Sequence, residues 1–197
     1  MKVLVACEYS GVVRDSFREA GHDAYSCDIL PTDSNPRYHI RGDVLDQLDD
    51  GWDLMIAHPP CTYLSVTGNK HYANSKKRLI AAEFVAKLWN APIEKICIEN
   101  PVGVLNSYLP YLPKPQYVQP WMFKDPVQKK TGLWLKNLPP LIPEITEKPE
   151  IEYVEFESGK RMNKWYYETS CLPQEQRAHV RSKTFPGLAR AMAEQWG

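Results

Sequence analysis

MKVLVACEYSGVVRDSFREAGHDAYSCDI, residues 1–29, is the stretch that decides the fold. Val3 to Ala6 make a short apolar run, and a turn marked by Gly11 follows. VVRDSFREAG then puts Val12, Val13, Phe17 and Ala20 on one helical face before Gly21 stops the helix. DAYSCDI is a second short strand ending in an acid, Asp28. A strand, a helix and a strand in close succession are the unit of a parallel sheet, because parallel neighbours need a crossover between them.

Working outward, YHIRGDV reads as a third strand ending in Asp43, and WDLMIA as a fourth. A helix over SKKRLIAAEFVAKLW, with Leu79, Ala82, Phe84, Val85 and Leu88 spaced as a buried stripe, leads to a fifth strand, KICIE. The pattern predicts an α/β, doubly wound, Rossmann-like fold with a mostly parallel sheet and helices on both faces. Beyond Pro101 prolines crowd the chain to residue 149, although TGLWLK keeps strand character. IEYVEFESGKRMNKWYYE reads as two strands around a Ser158-Gly159 turn, and FPGLARAMAEQW as a final helix. No repeat, low-complexity segment or linker marks a second domain, so residues 1–197 are expected to form one.

A chain of 197 residues is long enough to bury a substantial core without metal or disulfide staples. Its 24 basic and 24 acidic side chains cancel, so no global field advertises a nucleic-acid partner; this argues against tight nonspecific DNA binding and leaves room for a local basic face. The five cysteines form no CxxC pair and their odd count fits a disulfide framework poorly. These features predict a reducing cytoplasmic setting and no metal site. The N-terminal apolar run is too brief for a signal peptide and no stretch approaches membrane-spanning length, so no membrane partner is expected.

In doubly wound folds ligands sit at the carboxyl ends of the strands. Glu8, Ser10 and Gly11 follow the first strand, Asp28 the second, Asp43 the third, Pro59 to Cys61 the fourth, and Glu99-Asn100-Pro101 the fifth. The first loop, CEYSGVVRD, lacks the glycine fingerprint of pyrophosphate binding and suits a cofactor without phosphates. Asp28 is placed to bind ribose hydroxyls and Asp43 an adenine amino group. Each acid alone reads as a solvated loop residue; together, at successive strand ends, they favour a nucleoside-type cofactor.

Cys61, in DLMIAHPPCTYLS, follows two prolines that fix the backbone and cannot continue a ladder, which presents its thiol as a nucleophile. Cys7, Cys27 and Cys97 lie in strands or at their ends and read as packed residues. Glu99 ends the adjacent strand and is a candidate general acid once burial raises its pKa.

HPPCTYLS, IENPVG and the acid-terminated strands, in this order, resemble the cytosine-C5 DNA methyltransferase family, more closely its short phage and prophage members that lack a full target-recognition domain. The resemblance runs through residues 1–135 and resumes in the final helix. It implies S-adenosylmethionine as cofactor, a host cytoplasm if the chain is phage-encoded, and DNA or a deoxycytidine nucleotide as substrate. By the same resemblance Cys61 attacks C6 of cytosine, Glu99 holds N3 and the amino group, and Asn100 supports the cysteine loop. Ser65 contacts a phosphate, and VQKKTG places Gln128 and Lys130 near the substrate, Lys130 in a catalytic role. RSKTFPG places Ser182 and Thr184 at the methionine part of the cofactor, with Glu8, Ser10, Gly11 and Pro59 completing that site.

The chain departs from the family at CEYSG, at Thr62 after the cysteine, at lysines in place of arginines, and at Pro101. Residues 144–176 leave room for only a hairpin where the family carries its recognition domain. Lys160, Arg161 and Lys164, interleaved with Trp165 and Tyr166, suit phosphate contact and stacking, and equally an edge hairpin kept soluble by its charges. These features imply a preference for single-stranded DNA, with a partner chain or homodimer as another source of specificity. Two other readings stay open: an amino-methyltransferase in which HPPC replaces Asp-Pro-Pro-Tyr, and a noncatalytic nucleic-acid-binding relative.

Overall fold

The computed structural model describes residues 1–73 and 75–197. Seven strands form the main sheet in the order β3-β2-β1-β4-β5-β7-β6. They are β1 (Lys2–Ala6), β2 (Asp23–Asp28), β3 (His39–Arg41), β4 (Leu54–Ala57), β5 (Lys95–Pro101), β6 (Gln116–Val118) and β7 (Thr131–Lys136). The first five run parallel, while β7 lies antiparallel between β5 and β6. Helices α1 (Val12–Glu19), α2 (Asn69–Tyr72), α3 (Lys76–Trp89) and α4 (Leu105–Tyr108) fall among these strands. A two-stranded sheet, β8 (Tyr153–Glu155) and β9 (Arg161–Asn163), leads into α5 (Lys164–Ser170), α6 (Gln174–Ser182) and α7 (Pro186–Trp196).

Side-chain alternation explains why both faces are covered. In β1, β4 and β5, Leu4, Ala6, Met55, Ala57, Ile96 and Ile98 face one core, which α3 closes with Ala82, Val85 and Leu88. Val3, Val5, Leu54, Ile56 and Cys97 face the other, closed by Val13 and Phe17 of α1 and by Leu188, Met192 and Trp196 of α7. Strands buried on both faces read as unbroken apolar runs, as these three do. The doubly wound α/β architecture expected from the sequence is present.

Several details differ from the sequence reading. The inner stripe of α3 is shifted: Arg78 is buried and donates from Nε to the Tyr63 carbonyl at 2.6 Å, while Leu79 is half exposed. In α1, Arg14 is buried instead of Ala20, with its guanidinium spanning Asp15 and Ser26. The third strand stops at Arg41, so Asp43 does not end it; Asp43 caps the following turn through Leu45 N at 3.0 Å. KWYYE is helical, because Asn163 Oδ1 accepts from Trp165 N at 3.0 Å and caps α5. Lys164 therefore starts a helix and is not part of a strand. Among the described residues no helix is long and apolar enough to cross a membrane.

Candidate active site

Strand order reverses at the β1–β4 junction, and the loops after these strands open a cavity of about 470 Å³. Asp28, Asp43, His58, Pro60, Phe84 and Ser182 are among its walls. Asp28 Oδ1 accepts from Leu30 N at 2.9 Å and Asp43 Oδ1 from Leu45 N at 3.0 Å, which orients both carboxylates and leaves the second oxygen of each for a ligand. Exposed Ile29 and Leu30 supply an apolar lip.

The first loop is built differently from a glycine-rich turn. Cys7 takes a left-handed conformation (φ 58°) and so does Gly11 (φ 77°), where a Cβ would stand 2.5 Å from Arg14 Nη2. Glu8 is buried and turned onto α1, accepting from Val13 N at 2.8 Å, Arg14 N at 3.2 Å and Ser10 Oγ at 3.1 Å. Glu8, Ser10 and Gly11 thus form the N-terminal cap of α1. Glu8 and Ser10 still line a smaller cavity beside the main one, together with Tyr9, His58, Ser182 and Thr184. Tyr9 Oη lies 2.6 Å from Ser182 Oγ, and Asp33 receives His179 at 2.9 Å and Lys183 at 2.8 Å. These contacts bring the end of α6 and Lys183 to the first loop at Tyr9 and to Asp33 after β2, although these pieces are distant in sequence. Pro59 is buried and Pro60, not Pro59, faces the cavity.

Three bonds join the cysteine loop to the end of β5 and the loop that follows it. Asn100 is buried and its Nδ2 donates to the Pro59 carbonyl at 2.9 Å; Val66 N donates to Val102 O at 3.2 Å and Val104 N to Leu64 O at 2.9 Å. Ser65 sits in this seam, bridged to Gly103. Gly103 is required by the close approach, since a Cβ there would lie 2.1 Å from Leu64 O. Gly103→Ala is expected to force the two loops apart and cost about 1–3 kcal/mol, measured by urea denaturation.

Cys61 is exposed at the turn. Packing around the thiol and, second, the Glu99 carboxylate push its pKa above the ordinary thiol value, while Lys129 pulls it down. Cys27 and Cys97 are buried with their thiols raised, that of Cys27 to about 11, as fits packed residues. Cys7 is only partly buried and lines the cavity, with burial and Asp28 pushing its thiol up.

Glu99 corrects the expectation of a raised pKa. Burial does push it up, but the His58 hydrogen bond and charge, Lys129 and the Thr131 hydroxyl outweigh burial and hold it below the usual carboxylate range. His58 Nδ1 lies 3.5 Å from Glu99 Oε2, and Thr131 Oγ1 donates to Oε1. The resting residue is therefore a carboxylate.

Lys130 is exposed and lies over the Tyr117 ring at 4.4 Å, and it is not among the walls of the recess that holds Glu99. Lys129 takes the place expected of it, because residues 129 and 131 share one side as the chain enters β7. Lys129 donates to Arg181 O at 2.7 Å and lines a recess with Glu99, Thr131, Ser182 and Thr184. Gln128 is engaged elsewhere, accepting from Tyr153 Oη at 2.6 Å.

The basic hairpin is partly committed to itself. Arg161 lies over Tyr153 at 4.9 Å, Lys164 pairs with Glu152, and Trp165 packs on Phe185 with centroids 5.4 Å apart. Lys160 is exposed at the turn. His58, Lys129 and Thr131 were missed as site residues by the sequence reading; strand parity was the available signal for the last two.

Neither a family model nor a curated protein sequence matches the chain. Among solved structures, its backbone is similar to a DNA modification methyltransferase encoded within an E. coli prophage, at TM-score 0.46 and 12% identity over 92% of this chain and 69% of that one. It is also similar to the Entamoeba histolytica methyltransferase EhMeth, at TM-score 0.49 and 15% identity over 78% of this chain and 58% of that one. The S. pombe Dnmt2 methyltransferase gives TM-score 0.48 and 15% identity over 80% of this chain and 64% of that one. The chain thus spans less than two thirds of the length of the last two.

Proposed function

We propose that the protein transfers a methyl group from S-adenosylmethionine to C5 of cytosine through a covalent Cys61 adduct. The observation that carries this reading is the Cys61 turn fastened by Asn100 to the end of β5 that bears Glu99, whose carboxylate acts on the thiol. A nucleophile and a carboxylate held by one seam suit attack at C6 together with a grip on N3 and the amino group of the same ring.

The residues present fit the cofactor. A cavity of about 470 Å³ has the Asp28 and Asp43 carboxylates and the Ser182 hydroxyl, which meets Tyr9 of the first loop, among its walls. Asp28 suits ribose hydroxyls, Asp43 an adenine amino group, Phe84 and Ile29 the ring faces, and Ser182 and Thr184 the amino-acid end. Bound there, S-adenosylmethionine supplies an electrophilic methyl group. The Cys61 thiol then adds to C6 as its proton passes by way of the Glu99 carboxylate to N3, and C5 gains the nucleophilicity that methyl transfer needs; once the methyl group has moved to C5 and S-adenosylhomocysteine is left, loss of the C5 proton to water, return of the N3 proton and release of Cys61 restore the ring.

The substrate follows from what the hairpin offers. A base must leave its stack to be modified, and that costs least when it is unpaired. With Arg161 over Tyr153 and Lys164 paired with Glu152, Lys160 is the cation that the hairpin offers to phosphates and Lys129 the one that lines the recess. Incubation with labelled cofactor and duplex DNA, single-stranded DNA, RNA or deoxycytidine nucleotides tests the reading. Single-stranded DNA or a nucleotide is expected to outcompete duplex DNA, with polymer binding falling as salt rises. Replacing Lys160, Arg161 and Lys164 together by alanine is expected to weaken polymer binding and spare a mononucleotide reaction. Methylation confined to one duplex sequence refutes the single-strand preference and points to a partner chain or homodimer; no label in any cytosine substrate refutes the reaction.

A further inference from the structure

We propose that His58 serves two sites at once, positioning Glu99 through Nδ1 and receiving the α-ammonium of the cofactor's amino-acid end through Nε2; the inference rests on the cofactor reading above. His58 is the first residue after β4, and its backbone N–H donates to Ala6 O at 2.9 Å, which fixes its place at the sheet edge. The side chain is only 10% exposed. Nδ1 faces Glu99 Oε2 at 3.5 Å, while Nε2 is buried and has no hydrogen-bond partner among the described residues. The same ring lines both the main cavity and the smaller polar one beside it.

The chemistry of the two nitrogens assigns their partners. An ionised carboxylate only accepts, so Nδ1 carries a proton toward Glu99, and a donor seated at Nε2 selects the singly protonated ring, in which that nitrogen accepts. A buried acceptor without a partner is costly, and what completes it is a donor. The smaller cavity contains the Glu8 carboxylate, the hydroxyls of Tyr9, Ser10, Ser182 and Thr184, and no lysine or arginine among its described walls. That composition favours a cationic donor over an anion. Asp28 and Asp43 lie along the main cavity and take the nucleoside end, so the end of the ligand that reaches His58 carries the ammonium.

The arrangement couples the two sites. A donor at Nε2 fixes the ring and its tautomer, and so fixes the Nδ1–H that orients Glu99; an absent or truncated ligand leaves the 3.5 Å contact slack.

Calorimetry with S-adenosylhomocysteine and with 5′-methylthioadenosine, which lacks the amino-acid end, tests this on wild type, His58→Asn and His58→Gln. An asparagine amide matches Nδ1 but does not reach the Nε2 position; a glutamine amide reaches Nε2 but leaves Nδ1 unmatched. His58→Asn is expected to bind S-adenosylhomocysteine roughly tenfold or more weakly and 5′-methylthioadenosine as wild type does. His58→Gln is expected to keep S-adenosylhomocysteine within about twofold. At saturating cofactor it is expected to lose more kcat than His58→Asn. Equal S-adenosylhomocysteine affinity in wild type and His58→Asn overturns the inference, as does a matching loss for both ligands, which marks a purely structural residue. Wild type that binds neither ligand overturns the cofactor reading itself.

Discussion

Cys61→Ser is expected to abolish methylation, by at least about 10⁴-fold, while the protein folds and binds S-adenosylhomocysteine as before. A serine hydroxyl does not ionise near neutral pH, so it cannot add to C6, whereas the turn that presents residue 61 is held by backbone bonds and by Asn100, none of which uses the thiol. Single-turnover labelling measures the loss, and a stable mass shift with a 5-fluorocytosine substrate, present in wild type and absent in the variant, identifies the adduct. Cys97→Ser provides the contrast. Cys97 is fully buried in β5, so the change costs stability and leaves turnover in the protein that folds. If Cys61→Ser methylates at the wild-type rate, the covalent mechanism is wrong and transfer to an amino group takes its place.

The strands with long apolar runs, β1, β4 and β5, and the helices with a clear stripe, α1, α3 and α7, were legible in the sequence because burial on two faces leaves a simple pattern. The strand β6 was not: three residues among prolines carry no period, and β7 is what holds them. KWYYE reads as a strand by composition, and a single Asn163 cap makes it helical. Arg14 and Arg78 lie on inner faces because each finds oxygen partners there, which no hydropathy pattern announces. In the site, the rim positions of Asp28, Cys61 and Glu99 followed from strand ends alone, whereas Asp43 reaches the rim from the turn after β3. The motif points to Lys130 where the structure has Lys129, because similarity of motif fixes a residue only to within a step, and one step in an extended chain turns a side chain to the opposite face. The ionisation of Glu99 was misjudged because burial was weighed without His58, whose contact to it crosses between strands.

Glu99→Gln separates the two functions of that carboxylate. Its negative charge raises the Cys61 thiol, so removing the charge lets the thiolate form at lower pH, and alkylation of Cys61 by iodoacetamide is expected to speed up at neutral pH with its profile moved toward acid. Methylation moves the other way. An amide can still hold the cytosine edge but cannot pass a proton to N3, and without that proton C6 is a poor electrophile, so turnover is expected to fall by about 10²–10⁴-fold. In the resting protein Lys129, His58 and Thr131 hold Glu99 ionised, and the ionised carboxylate in turn discourages the thiolate. A proton shared between Glu99 and N3 of a seated base offsets that negative charge, which is when the thiolate becomes favourable. The nucleophile is thus restrained until a base that can accept the attack is in place. A Glu99→Gln variant with slower alkylation, or with undiminished methylation, contradicts this coupling.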